Sequence, residues 1–184
     1  MRAFWQENAV FILKLRDDLF TVAQMMPKGT ARIRLYNIFK NEDIWRPLDL
    51  SFIEPLFTVP IGNVVIQKLG VRRAKPDEIK PGTQPYERYV IFAKANYGSN
   101  FPWKGGKLVD TGDNGEVESW QAPAVIEDLT LDQHRDLILK YQLSNILGDN
   151  HLSERLVHIY EKGFDFDPLK DQIFPGLYEA GSEK

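Results

Sequence analysis

The chain has 184 residues, no cysteine, and a net charge of −3 from 23 basic and 26 acidic side chains. That length suffices for one buried core with a helical appendage, and the lack of cysteine excludes disulfides, thiolate nucleophiles and Cys-ligated zinc. The near-neutral charge supplies no global field toward nucleic acid or anionic lipid. The apolar run Val10–Leu15 is interrupted by Lys14 and is too short for a signal core or a membrane span, so a cytoplasmic, untargeted protein is expected.

From Asn8 to Phe39 the pattern predicts a three-strand meander. "NAVFILKL" turns at Asp17-Asp18 into "LFTVAQMM", and "PKGT" (Pro27 to Thr30) turns into "ARIRLYNIF". In the third strand Ile33 and Leu35 take one face, and Arg32, Arg34 and Tyr36 take the other, which is expected to be solvated. "LFTVPIGNVVIQKLG" predicts two short strands around Gly62-Asn63, with Pro60 at a sheet edge. Ala74 to Pro85 carries three further prolines and reads as a boundary or long exposed excursion. "YERYVIFAK" is another strand, and "KLVDTGDNGEVESW" a hairpin in which Leu108-Val109 and Val117 to Trp120 flank the turn Asn114-Gly115.

Past Pro123 the period changes from two toward four. Thr130 to Gln133 fits a capping box before a helix presenting Leu137, Ile138 and Tyr141 and stopping at Gly148. A second helix is expected from Ser153 to Gly163, burying Leu156, Ile159 and Tyr160, with a tail anchored by Phe164, Phe166, Ile173, Phe174 and Tyr178. The expected fold is α+β: a mostly antiparallel β domain over 1–123, a barrel or strongly curved sheet, followed by two C-terminal helices. Those helices lie in a region over 124–184 that packs on the sheet as part of one structural unit.

Chemistry enters first through Asp110-Thr111-Gly112, the tripeptide of a retropepsin-like catalytic turn, and through "ILGDN" (Ile146 to Asn150), which is like the element that supports that turn. The interval between the two is too short for the strands and flap that would enclose two carboxylates sharing a proton. Read as a calcium loop from Asp110, the stretch places Gly112 and Gln121 where oxygen-rich ligands belong. The three histidines, His134, His151 and His158, lack metal-ligand spacing, no Gly-x-Ser-x-Gly occurs, and "WKGGK" lacks the Walker spacing. The chain is therefore read as a non-enzyme with no cofactor and no metal. Two alternatives stay open: a nucleic-acid-binding β-barrel using Arg32, Arg34 and Tyr36 beside Lys14 and Arg16, which the net charge disfavours, and, more distantly, an aspartic protease-like hydrolase.

Val10-Phe11, the acidic turn Asp17-Asp18, a second strand ending near Gln24, and the later Leu56-Phe57-Thr58-Val59 form a pattern over residues 8 to 70. It resembles the immunity protein 26 family of bacterial polymorphic toxin systems. The resemblance implies a stoichiometric inhibitor that binds a cognate toxin, often a nuclease, and covers its active site. Such a protein needs aromatic anchors and a complementary charged rim. The candidate toxin contacts are Trp103, Asp113 and Glu116 around the hairpin, and Asp165, Asp167 and Asp171 in the tail.

Overall fold

The computed structural model describes residues 5–27, 31–94 and 104–179. Two compact units emerge, Met1–Tyr86 with Ile146–Asp165, and Glu87–Asn145 with Phe166–Lys184. The chain leaves the first unit after Tyr86, returns at Ile146 and leaves again after Asp165, so the units do not part at residue 123.

The first unit is built on an antiparallel sheet of β1 (Val10–Arg16), β2 (Leu19–Met25), β3 (Arg32–Lys40), β5 (Pro55–Pro60) and β6 (Gly70–Arg73), in the order β5-β3-β2-β1-β6. Both of its faces are covered, which is why β1 opens with four consecutive apolar residues, Val10 to Leu13. Phe11 and Leu13 join a core with Ile33, Leu35 and Phe57, completed by Val65 and Ile66 of α1 (Asn63–Leu69) and Leu152 and Leu156 of α3 (Asp149–Lys162). Val10 and Ile12 point the other way, to Tyr36, Trp45, Leu50 and Ile79. The short parallel pair β4 (Leu48–Asp49) and β7 (Ile79–Lys80) belongs to the covering layer.

The second unit carries β8 (Tyr89–Ala93), β9 (Gly106–Asp110) and β10 (Ala124–Leu129), antiparallel in the order β10-β9-β8. The outer edge of β8 meets the segment after α2 (Leu131–Lys140): the Ile91 N–H donates to the Gln142 carbonyl at 2.8 Å, and the Ser144 N–H to the Ile91 carbonyl at 2.9 Å. Ile91 and Leu108 pack with Ile138 of α2, with Ile173 of α4 (Pro168–Ile173), and with Phe174 and Leu177 beyond it. On the opposite face Val90 and Val109 are covered by Ala122 and Val117 from the loop joining β9 to β10.

Several expectations are corrected. The class is α+β and mostly antiparallel, but the sheets are separate and open rather than closed into a barrel, and α1 lies between β5 and β6, not at the C-terminus. "NVVIQKL" was expected as a strand and is α1: Val65, Ile66 and Leu69 form one helical face on the core, and that burial overrides the β preference of valine and isoleucine. Val117 to Trp120 is loop, not strand; β9 pairs instead with β10, which starts at Ala124. At α2 the Thr130 hydroxyl makes no capping bond, and His134 Nδ1 accepts the Thr130 N–H at 3.2 Å, so the Gln133 capping box is not formed. Gly148 precedes α3 rather than ending α2, while Gly163 ends α3 in the left-handed conformation, as expected. Tyr160 is exposed, resting against Phe39 at 5.4 Å.

Candidate functional site

The strongest candidate is the loop 111–123. It is closed at its neck by the Val117 N–H donating to the Thr111 carbonyl at 3.0 Å and by the Thr111 N–H donating to the Arg88 carbonyl at 2.8 Å. Its tip turns on Gly112 and Gly115, with φ of 85° and 65°, a region that residues with a Cβ enter at a cost. Arg88 pins the base: its Nε donates to both Asp110 oxygens at 2.8 Å, its Nη2 donates to Asp110 at 2.6 Å, and its Nη1 reaches Asp113 at 2.9 Å. The guanidinium, and then the Gly112 N–H, hold the Asp110 carboxyl below its ordinary range. Glu116 is held low by backbone N–H donors, its own first and then that of Asn114, so it too stays ionised.

Held in that frame, Trp120 is 65% exposed, and Val125 of β10 is 54% exposed. Asp113, Glu116, Glu118 and Glu127, from the same loop and strand, are exposed as well. Asp113 is matched by Arg88 and Asp128 by Lys94, whereas Glu118 and Glu127 have no basic partner among the described residues. The sequence carried a signal for this surface: seven carboxylates and no Lys, Arg or His lie between Leu108 and Asp132. They outweigh the net charge of the whole chain, so the remainder is net positive. Reading Trp120 as a strand residue hid its exposure.

The other predicted contacts separate. Trp103 lies outside the described residues. Asp165 is in the first unit, where it accepts from Arg155 Nε at 2.6 Å and Nη2 at 2.5 Å. Asp167 and Asp171 are in the second unit. Asp167 is buried as the N-cap of α4, accepting from the Leu169 and Lys170 N–H groups, and Asp171 is half-buried in that helix. Asp165 and Asp167 are therefore engaged within their own units, one by a guanidinium and the other by a helix start.

The basic face of β3 is corrected as well. Arg32, Arg34 and Tyr36 are buried, because residues 81–86 run across them as a strap. Arg34 donates to the Gln84 carbonyl at 2.7 Å and the Pro85 carbonyl at 2.6 Å, Arg32 donates to the Tyr86 hydroxyl, and Tyr36 donates to Gln24 Oε1 at 2.5 Å. Those donors are not presented to a phosphate backbone. For protease chemistry, Asp110 faces an arginine where a second carboxylate would be required, and Asp149 belongs to the first unit, where it pairs with Lys68 at 2.9 Å.

An open depression of about 530 Å³ is lined by Trp45, Pro47, Arg72, Lys75, Asp77 and Glu78. Arg72 there is already saturated by bidentate bonds to Asp43 and Glu78, so it offers a ligand little. Among the described residues no group of three or more His, Asp or Glu side chains is placed to hold a metal ion. Neither the curated proteins nor the solved structures contain a match to the chain. One family model, described as "Domain of unknown function (DUF8309)", matches residues 1–179.

Proposed function

The chain belongs to the DUF8309 family, and we propose that it is a stoichiometric inhibitor of the immunity kind, which binds a basic toxin domain and covers its working surface. The observation that carries this reading is the pinned acidic loop, which exposes Trp120 in the same stretch of chain as the exposed Glu116, Glu118 and Glu127. A largely exposed tryptophan gains most by entering a partner's pocket, and uncompensated carboxylates in the same stretch steer a basic partner and reject an acidic one. Because Arg88 and the loop's own backbone bonds hold it in shape, little ordering entropy is lost on association. The same charges repel a phosphate backbone, which favours a protein partner over nucleic acid. In this reading the strands that resemble the immunity protein 26 family are scaffold, and the contacts come from the second unit. Such an inhibitor would act in the cytoplasm of the producing cell, without metal or cofactor.

The test is co-expression with the toxin domain encoded beside its gene. Intact protein is expected to co-purify with that domain and restore growth. Trp120→Ala and Glu118→Lys are expected to leave the melting temperature nearly unchanged, as surface substitutions within about 0.5 kcal/mol, and to lose rescue together. Failure of the intact protein to rescue would overturn the function, and full rescue by the double variant would overturn the surface.

A further inference from the structure

We propose that Asn114 is a site of spontaneous modification, converting in the folded loop to aspartate and isoaspartate and so adding a carboxylate to the acidic surface. The chemistry stands on the turn itself; its consequence for a partner rests on the function proposed above.

Three features single out this asparagine. Gly115 follows it, so no side chain crowds the backbone nitrogen that must approach Asn114 Cγ. The other asparagines among the described residues precede Ala9, Ile38, Glu42, Val64, Ile146 and His151. The Asn114 side chain is exposed and its amide makes no hydrogen bond among the described residues, whereas Asn8 Oδ1 accepts from Gln24 Nε2 at 2.9 Å. Finally, the Gly115 N–H donates to the Gly112 carbonyl across 3.3 Å, the long end for such a bond, so little is lost in freeing the nitrogen.

The step balances without any redox partner. Hydroxide removes the Gly115 N–H proton, the nitrogen attacks Asn114 Cγ, the N–Cγ bond forms and the Cγ–Nδ2 bond breaks, and the departing NH2 group takes a proton from water, regenerating hydroxide and leaving as ammonia to give a cyclic imide. Water then adds to one of the two imide carbonyls. Opening at Cγ restores the ordinary backbone as aspartate. Opening at the backbone carbonyl gives isoaspartate, with the chain running through Cβ and Cγ. The net change is uptake of water, loss of ammonia and gain of one negative charge. Asp113 and Glu116 flank the site and oppose loss of the proton, so the reaction speeds up with pH and with salt that screens them. The isoaspartate product also lengthens the backbone of a loop closed by the Val117-to-Thr111 bond.

The test is incubation of the full chain at mildly alkaline pH, followed by digestion, mass spectrometry and isoaspartate detection. The peptide holding Asn114 is expected to gain the amide-to-acid mass difference before any other described asparagine. An Asn114 that stays intact in the folded protein while the urea-unfolded chain converts would overturn the site. In a second arm, poly-lysine at low salt should bind aged wild type and Asn114→Asp about twofold more tightly than Asn114→Gln, the Coulomb effect of one charge about 10 Å away in water. Equal binding by the Asp and Gln variants would overturn the link to surface charge. Conversion with the poly-lysine shift, but no binding of the neighbouring toxin by any form, would overturn the proposed function and leave the modification standing.

Discussion

Arg34 is the residue whose setting departs most from its sequence pattern. A guanidinium that alternates with Ile33 and Leu35 reads as solvent-facing, yet it is 1% exposed and donates to two backbone carbonyls of the strap. Removing it takes a charged donor from both carbonyls, one on half-buried Gln84 and one on exposed Pro85, and leaves the space of a buried guanidinium to be refilled. Arg34→Met is therefore expected to cost about 1–3 kcal/mol, read as a lower urea midpoint. Arg34→Lys is expected to recover only part of that, because an ammonium cannot span both carbonyls as the planar fork does. A midpoint equal to wild type for Arg34→Met would show that the strap needs no such anchor. Gly82 gives the strap a second constraint: a Cβ there would collide with the Tyr36 hydroxyl and the Gln84 side chain.

Among the elements, α4 shows how an apparent contact residue becomes structural. Asp167 precedes Pro168, which occupies the first turn where no N–H is needed, and its carboxylate accepts from Leu169 at 3.0 Å and Lys170 at 3.2 Å. Lys170 in turn donates to the Tyr141 carbonyl at 2.9 Å, placing a cation at the C-terminal end of α2. Asp167→Ala is expected to lower stability by about 0.5–2 kcal/mol, the usual loss of an N-cap, while leaving any binding through loop 111–123 unchanged when measured on folded protein. Loss of binding by a folded Asp167→Ala would return this acid to the interface. "Asp-Pro-Leu-Lys" carries a helix start, an N-cap acid before a first-turn proline, that the reading of this stretch as an acidic tail passed over; its place among the toxin contacts was an inference from charge alone.

For the molecule as a whole, both units carry carboxyls held below their ordinary values of 3.8 for Asp and 4.5 for Glu. In the first unit these include Glu78 by Arg72, Asp149 by Lys68 and Asp49 by the Ser51 N–H; in the second, Asp110 by Arg88 and Glu116 by backbone N–H groups. Near pH 4 each binds fewer protons folded than unfolded, so stability rises with pH through that range. The contribution is complete above the ordinary values and is lost as pH falls through the lower folded ones. The melting temperature is expected to be level from about pH 5 to 7 and to fall below about pH 4, and Glu78→Gln should flatten that fall. Burial raises the Tyr36 phenol, so its contribution is complete below its ordinary 10.0 and is lost at higher pH.

The sequence by itself determined the meander β1-β2-β3, the edge position of the strand ending in Pro60, the late change to helical period and the Gly163 stop, because periodicity, turn residues and caps act within a few residues of each other. It also carried the acidic stretch from Leu108 to Asp132, visible as a count of charges. Only the tertiary structure decided which charges face water. Arg32 and Arg34 are covered by a strap about fifty residues away in sequence, Asp165 is taken by Arg155, and Trp120 is left exposed because β9 pairs with β10 and bypasses Val117 to Trp120. Burial of a polar side chain is set by which distant segment satisfies it, and that choice leaves no local pattern.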